Sequence, residues 1–187
     1  MRKNLDTTII IPSPVLMVGT YDKDGNADVM NVAWGGQCGP NHIALNLGLA
    51  HKTVENLKEK EAFTVSFATK STEELSDYFG LRSGNDADKI AESGVSVIKA
   101  EKVDAPIIEE YPLTIEFKVI EMKETLGELR VVGEAVNVSA DESILDDDGN
   151  ISIEKLEPII FDSVTNSYRV IGEVVGSAFS DGKELFN

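Results

Sequence analysis

The sequence predicts a mainly β protein, a closed or sandwich-like barrel with short helices inserted between its strands. Three observations predict this class. Short apolar runs bounded by turn residues recur along the chain, and neighbouring runs have the pattern of hairpins. The helical patterns are short and lie between these runs. No glycine-rich fingerprint opens a helix after the first strand, which argues against a doubly wound dinucleotide-binding fold.

The strands follow in order along the chain. Residues 15–21 and 29–34 are apolar runs separated by an acidic turn, so they predict a hairpin. Residues 113–119 alternate cleanly and predict a strand with one dry face and one wet face. Residues 129–139 form another long strand, whose apolar phase changes around 131–133 and predicts a bulge or sharp bend. Two shorter alternating strands are predicted at 43–47 and 63–67.

Three short helices complete the pattern. The first is predicted over residues 53–60, and the second follows the capping-box spacing of residues 71–74. Leu75, Tyr78 and Phe79 give this second helix an apolar face. The third is predicted over 86–93 and is stopped by Gly94. An acidic, hairpin-like insertion is expected at 140–157.

Length and cysteine content bound the class of protein. The chain of 187 residues suffices for one well-buried core but is short for two, so residues 1–187 are predicted to form one domain. The single cysteine, Cys38, excludes an internal disulfide and indicates a reducing compartment. No apolar stretch follows the N-terminal basic pair, and the run 8–18 is too short for a membrane span. These features predict a cytoplasmic protein.

The charge is strongly acidic. Acidic residues outnumber basic ones by 33 to 17, which gives a formal charge of −16. Such a surface repels phosphate backbones and anionic lipids, so neither nucleic acid nor a membrane is expected as a partner. A ligand that carries phosphate therefore needs a local patch of donors to overcome this field.

Several familiar kinds of site are absent from the pattern. The acidic turns at 22–28 and 146–150 lack the glycine that a calcium loop needs at its sixth position, so both are interpreted as hairpin turns. The two histidines show no metal-ligand spacing, and no metal site is predicted. Cys38 is expected to be a small packed thiol because no basic partner lies near it in sequence. No catalytic side chain is predicted.

Two segments suggest a binding site. In residues 31–36, the polar Asn31 lies inside a buried strand that ends at Trp34, and two glycines then permit a flat ligand to approach the backbone; the alternative is a core tryptophan. In residues 46–56, a strand ends at Gly48 and a helix opens at Thr53 after a basic pair. A helix N-terminus attracts anions, although an ordinary N-cap explains the same pattern.

A third segment, residues 78–89, supplies two cations beside small residues and a helix start. Either Arg82 or Lys89 can neutralise a phosphate. The alternative is a solvated surface with an Asp–Lys pair.

These three segments, in this order and at this spacing, resemble the flavin reductase-like family of FMN-binding split barrels, which includes flavoredoxin-type proteins. The resemblance implies a six-stranded antiparallel split β-barrel with short helices, assembled as a homodimer, with FMN bound non-covalently near the subunit interface. It covers nearly the whole chain, and the matching stretches are residues 14–20, 24–34, 51–57, 63–66, 77–80, 83–89, 105–106, 113–119 and 172–176.

The resemblance also implies the cofactor site. The isoalloxazine ring is expected against residues 31–34, the ribityl chain and phosphate at Thr53 and the backbone of 48–52, and an ion pair between Lys89 and the phosphate. Phe161 is implied as an aromatic lid, from its own or the partner subunit. The implied cofactor-binding residues are Asn31, Val32, Ala33, Trp34, Asn46, Gly48, His51, Lys52, Thr53, Ser83, Lys89 and Phe161.

One departure from the family pattern concerns the reductant. Many relatives carry a histidine near the start of the strand that here opens with Leu129 and Arg130. In this sequence Arg130 is the cation at that position. Whether it makes the contact with nicotinamide or flavin that the histidine makes in relatives is left open by the sequence.

The sequence leaves three functions open. The first is an enzyme that passes hydride from NADH or NADPH to FMN and on to an acceptor. The second is a flavin-carrying electron-transfer protein reduced by a redox partner protein, for which an acidic surface suits docking to a basic partner. The third is a flavin-free ligand-binding barrel.

Overall fold

A computed structural model describes residues 1–4 and 11–186 of the chain. Residues 8–10 of the proline-containing run lie outside the described residues. The strands are β1 Ser13–Pro14, β2 Leu16–Tyr21, β3 Ala27–Val32, β4 Gly35–Gly39, β5 His42–Gly48, β6 Ala62–Phe67, β7 Val97–Lys99, β8 Pro106–Ile108, β9 Leu113–Thr125, β10 Glu128–Ala140, β11 Ile159–Asp162 and β12 Ser167–Val170. The helices are α1 Lys52–Lys60, α2 Glu73–Leu81, α3 Lys89–Ser93 and α4 Ile153–Leu156, and short 3-10 helices cover Lys70–Thr72, Glu142–Ile144 and Asp181–Phe186.

The strands form antiparallel sheets, and the predicted mainly β class with short helices is confirmed. The main sheet has seven strands in the order β3-β2-β6-β9-β10-β5-β4, where six were predicted. The additional strand is the short, glycine-rich β4, which pairs with β5. Smaller sheets of the described chain have the orders β1-β11-β12 and β7-β8.

The main sheet curls around one apolar core. Strands β2, β3, β5, β6, β9 and β10 all contribute side chains to this cluster, and α1 closes it with Val54 and Leu57. The rings of Phe63 and Phe117 stack at its centre with centroids 5.1 Å apart. A Cβ at Gly133 would lie 2.5 Å from Cζ of Phe63, so only glycine fits there. The register shift between Val132 and Gly133 confirms the predicted bulge.

A second apolar cluster fixes α2 over the outer face of β2 and β3. Met17 and Val29 pack there with Phe79, which is buried, while Leu75 and Tyr78 pack at its margin. The predicted apolar face of this helix is therefore confirmed. Its cap differs from the prediction, because Thr69 and Thr72 form the capping box in the 3-10 turn before α2.

The predicted wet face of β9 holds at Lys118, which is exposed, and is wrong at Thr114 and Glu116, which are buried. The Thr114 hydroxyl is hydrogen-bonded to that of Ser66 at 2.7 Å, and the loop at residues 101–102 covers Glu116. Glu116 accepts hydrogen bonds from the backbone N–H groups of Glu101 and Lys102 at 3.2 and 2.7 Å and from the Asn137 amide at 2.8 Å. Burial alone raises the pKa of the Glu116 carboxyl, but these hydrogen bonds outweigh burial and hold the pKa below its ordinary value.

Other boundaries also shift. Helix α1 begins at Lys52, one residue before the predicted start, and His51 is its N-cap. Helix α3 begins at Lys89 rather than at residue 86, because the Asp88 side chain accepts a hydrogen bond from the Ala91 N–H and caps the helix there. Gly94 ends α3 with φ +70°, as predicted. Cys38 is exposed rather than packed, because β4 lies at the end of the main sheet.

The two acidic turns are closed by their own first carboxylates. Asp22 accepts from the backbone N–H groups of Asp24 and Asn26, and Asp146 accepts from those of Asp148 and Asn150. Both are turns in hairpin-like segments, as predicted. Within residues 11–186, no helix is long and apolar enough to cross a membrane.

Candidate functional site

A cavity of about 310 Å³ lies where β3, the start of α1 and the connection between α2 and α3 meet. We call it the polar cavity. An adjoining hollow shares Asp28, Lys52, Gly84 and Lys89 with it. The lining residues of the polar cavity are Asp28, Met30, Asn31, Ala50, His51, Lys52, Thr53, Phe79, Gly80, Leu81, Arg82, Ser83, Gly84 and Lys89.

A buried ion pair lies in its wall. Nζ of Lys89 is 2.9 Å from Oδ1 of Asp28, and the two side chains are only 3% and 10% exposed. The same ammonium donates to the Val29 carbonyl, and the Thr53 hydroxyl lies 3.4 Å from Oδ2 of Asp28. Two of the three ammonium N–H groups are thus used within the chain, and the third has no hydrogen-bond acceptor among the described residues. The ammonium also lies 5.9 Å from the centroid of the Phe79 ring.

Three elements bring this pair together. Asp28 precedes Met30 and Val32 on the face of β3 that turns towards the barrel core and α1. Lys89 is the first residue of α3, which packs against β3. The connecting loop passes close over the carboxylate at Gly84, where a Cβ would lie 2.5 Å from Oδ1 of Asp28. A glycine is therefore needed at this position.

The start of α1 adds backbone donors. His51 is the N-cap and makes no side-chain capping bond, and its carbonyl accepts from the Val54 N–H at 3.0 Å. The N–H groups of Lys52 and Thr53 are left without a partner among the described residues. These N–H groups and the helix dipole favour an anion. Lys52 stands beside them and is held 3.3 Å from Glu55.

Arg82, at the rim, is a third cation of the polar cavity after Lys89 and Lys52. Its guanidinium donates to both carboxylate oxygens of Glu92 at 2.9 and 3.0 Å, and the Tyr78 hydroxyl donates to the same carboxylate at 2.8 Å. These hydrogen bonds, that of Arg82 first, lower the pKa of the Glu92 carboxyl to about 2. Arg82 is thus already paired with a carboxylate, while its predicted role at a phosphate stays a prediction.

A second cavity, of about 540 Å³, lies beyond the end of β3. We call it the aromatic cavity, since Trp34 and Phe161 both line it. Trp34 is 66% exposed, so the core alternative for this residue is wrong. Phe161 reaches the cavity within the same chain, because β11 pairs with β1.

The predicted site residues fall into three groups. Asn31, His51, Lys52, Thr53, Ser83 and Lys89 line the polar cavity, and Ala33, Trp34 and Phe161 line the aromatic cavity. Val32, Asn46 and Gly48 line neither.

The members of the third group have local structural roles. Val32 belongs to the barrel core, Asn46 donates its N–H to the Trp34 carbonyl at 2.9 Å, and the Gly48 carbonyl accepts from the His51 N–H at 3.1 Å. Arg130 lies opposite Asn46 on the neighbouring strand, away from both cavities.

Asp28 and Gly84 were missed as site residues. Asp28 was interpreted as part of an acidic turn, although it follows the turn and lies in the strand. Its ion-pair partner is distant in sequence, and no local pattern indicates such a pair. The glycine at residue 84, beside two predicted donors, was the available signal.

Comparison with known proteins gives a consistent result. A family model described as "Flavin reductase like domain" matches residues 8–157. The flavoredoxin of Desulfovibrio vulgaris (Miyazaki F) is 39% identical, with a TM-score of 0.91 over 97% of this chain and 100% of that chain. The flavoredoxin of Methanosarcina acetivorans is 29% identical, with a TM-score of 0.89 over 99% of this chain and 98% of that chain.

A more distant structure shares the fold. The FMN-binding protein from Thermus thermophilus, solved with 1-cyclohex-2-enone, is 18% identical, with a TM-score of 0.76 over 95% of this chain and 99% of that chain.

Proposed function

The chain belongs to the flavin reductase-like domain family, and on this premise we propose that it binds FMN non-covalently and passes hydride or electrons from NADH or NADPH through it to an acceptor. One observation carries the proposal. On a chain of charge −16, Lys52, Lys89 and the uncapped start of α1 converge on one cavity. That concentration of donors suits a phosphate monoester.

We place the phosphate end of FMN in the polar cavity. The free N–H of Lys89, the Thr53 hydroxyl and the first-turn N–H groups of α1 are its proposed donors. Asp28 neutralises much of the Lys89 charge, so the helix terminus and Lys52 supply the remaining attraction.

We place the flat ring of FMN against the end of β3 and in the aromatic cavity. Asn31 lines one cavity and Ala33 the other, and residues two apart along an extended chain are separated by about 7 Å. The end of β3 and the bend that follows it therefore join the donor-rich cavity to the aromatic one. A molecule with a phosphate at one end and an aromatic ring at the other matches this order.

The reaction needs little acid–base chemistry from the chain. Bound flavin supplies the hydride-accepting atom itself. The proposed tasks of the chain are to hold the phosphate at α1, to orient the ring along residues 31–34, and to exclude water with Trp34 and Phe161.

A second candidate is an electron-transfer flavoprotein that a partner protein reduces. The high identity to a protein named flavoredoxin and the acidic charge favour this candidate. A basic redox partner would dock to such a surface quickly and in a salt-dependent manner. Steady-state oxidation of NADH and of NADPH separates the two, because a carrier turns over neither.

The proposed assembly is a homodimer of one-domain chains in the cytoplasm, with FMN near the subunit interface. Exposed apolar surface supports the dimer, since Trp34 and several C-terminal apolar residues lie open to solvent in a single chain. The lone cysteine suits a reducing compartment.

An absorption spectrum tests the cofactor. Purified chain is mixed with FMN, desalted and scanned, and riboflavin is used in parallel as the matched ligand without phosphate. We expect flavin bands to survive desalting with FMN and to be much weaker with riboflavin. Equal retention of both would reject the phosphate site, and retention of neither would reject the flavin.

A further inference from the structure

The C-terminal segment, residues 171–186, carries large apolar side chains in solvent. Val175 and Phe179 are 94% and 98% exposed. Single exposed apolar residues are ordinary, but a run of them indicates a binding surface. We call this segment the arm, and its exposed large apolar residues are Ile171, Val174, Val175, Phe179, Leu185 and Phe186.

The arm is not held by its own chain. The Ile171 N–H donates to the Pro158 carbonyl at 3.4 Å, and past this point the backbone hydrogen bonds of residues 172–186 stay within the arm, as far as the chain is described. The Ser177 N–H, for example, donates to Asp181. An apolar segment without such anchors gains stability only by docking elsewhere.

A groove of about 510 Å³ lies at one end of the barrel, and we call it the apolar groove. Leu16, Ile43 and Phe117 form its floor, and Val138 on its wall is half exposed. None of its lining residues is a carboxylate and His42 is its only ionisable one, in a chain with 33 acidic residues. The groove is therefore an uncharged surface on an otherwise acidic molecule.

The arm and the groove match in chemistry. Residues 174–180 contain no charged residue, and Glu173 and Asp181 flank them. An uncharged apolar stretch of this kind avoids the acidic surface and fits the groove, where no carboxylate repels its flanks. A small apolar molecule would fill the groove but leave the arm in solvent.

The position of the arm indicates that it docks on a second copy of the chain. The arm leaves from β12, which pairs with β11, and β11 pairs with β1 at Pro14 on the groove wall. The arm thus starts beside its own groove and yet lies outside it. Reciprocal docking of two arms in two grooves is an isologous, closed arrangement.

We propose that residues 174–180 of each copy occupy the apolar groove of a second copy, an arm exchange that rests on the homodimer in the proposed function. The exposed arm and the apolar groove are then each covered by the other in the dimer.

Sedimentation velocity at micromolar concentration is the first test. We expect the unaltered chain to be a dimer, and Phe179→Asp in the arm or Val138→Asp in the groove to weaken self-association by more than about 30-fold. Leu126→Asp, an equally exposed apolar position at a hairpin tip, is the control and should remain dimeric. Circular dichroism confirms that each variant is folded.

A cross-link locates the arm. Cys38 is exposed between two groove residues, Gln37 and Pro40. In Ala178→Cys, mild oxidation should join two chains through Cys38, and adding Cys38→Ser should abolish this link. A disulfide within one chain would mean that the arm docks in its own groove, and no disulfide would place it elsewhere; either result overturns the proposal.

The outcomes separate this inference from the proposed function. A dimer that persists in both the arm and groove variants overturns the arm exchange but leaves the homodimer intact. A monomeric unaltered chain overturns both. FMN retention is measured on the same samples after desalting, so loss of the cofactor site is recognised independently.

Discussion

Two carboxylates are buried beside strands of the same barrel, and they are held in opposite ways. Asp28 on β3 faces one cation, Lys89, in the wall of a cavity. Glu116 on β9 faces two backbone N–H groups and the Asn137 amide, and it lines no described cavity. Both carboxylates are hydrogen-bonded, as buried charge requires.

The difference lies in the freedom of the donors. Backbone N–H groups and a strand amide are fixed, so the Glu116 arrangement stabilises one structure and offers nothing to a ligand. A lysine ammonium has three donors on a flexible stem, so the Asp28 arrangement leaves a donor to share. Of these two carboxylates, only the one whose counter-charge borders a cavity leaves a donor within reach of a ligand.

Removal of the cation should have the largest effect. Lys89→Met leaves Asp28 buried and unpaired, so we expect a loss of about 3–5 kcal/mol in unfolding free energy, measured by urea denaturation. FMN affinity should fall by about 10- to 150-fold, since a charge-assisted contact is lost.

The double variant Asp28→Asn with Lys89→Met is the control for charge burial. It should recover most of the stability without recovering FMN affinity. If the affinity also returned, Lys89 would have no direct role at the phosphate.

Substitution of Glu116 should lower the unfolding free energy without changing FMN affinity. Glu116→Gln places an amide N–H₂ against a fixed donor, and we expect it to cost about 1–3 kcal/mol of unfolding free energy with FMN affinity unchanged. Glu121→Gln, at an exposed position of the same strand, is the matched control and should be neutral. A large change in FMN affinity in Glu116→Gln would break the distinction between the two carboxylates.

This carboxylate also sets a pH dependence. Because the folded state lowers the pKa of Glu116, its contribution to stability is present above the ordinary glutamate pKa and is lost as pH falls below it. Stability curves of the unaltered chain and of Glu116→Gln should therefore converge in acid. Parallel curves across that range would contradict this assignment.

A smaller effect is expected at the hydroxyl beside the ion pair. Thr53→Val keeps the shape of the residue and removes one hydroxyl donor to the phosphate, so FMN affinity should fall by about 10-fold, the low end for a hydrogen bond to a charged acceptor. Riboflavin affinity should not change, because riboflavin has no phosphate. Fluorescence titration with both flavins measures the difference, and equal losses would move the phosphate away from α1.

The smallest effect on stability is expected from the Arg82–Glu92 pair at the rim of the polar cavity. An NMR titration should give Glu92 a pKa of about 2, and Arg82→Gln should return it towards its ordinary value near 4.3. The contribution of this pair to stability is present above the ordinary glutamate pKa and is lost as pH falls towards 2. It should be small because the pair is exposed to solvent. A Glu92 pKa that stays low in Arg82→Gln would assign the shift to Tyr78.

Local patterns predicted the six longer strands of the main sheet, because alternation and turn residues act over a few positions. The shorter strands β1, β4, β7, β8, β11 and β12 were not predicted. The bulge near Gly133 and the stop at Gly94 were found in this way. The wet face of β9 failed at Glu116 because a loop 15 residues earlier in the chain folds back over it. The packed thiol failed because Cys38 lies on a strand at the end of the sheet, which no local pattern reveals.

The candidate site was predicted in outline rather than in detail. Helix starts and small residues marked the segments that form the polar cavity, since these signals are local. The pairing of Asp28 with Lys89 depends on the packing of α3 against β3, and the aromatic cavity depends on β11 pairing with β1. Such contacts between distant segments are set by the whole fold.

The place of β3 at the end of the main sheet has one more consequence, which concerns aggregation. An uncovered edge strand invites the strand of another molecule, and a lysine is a common guard against this. Here Lys89 donates to the Val29 carbonyl on that outer edge while α2 covers the adjoining face. The side chain proposed for the phosphate thus also occupies one hydrogen-bonding group of this edge. If that contact guards the edge, the double variant Asp28→Asn with Lys89→Met should turn turbid on storage sooner than the unaltered chain even where its unfolding free energy is recovered, and equal turbidity would reject the guard.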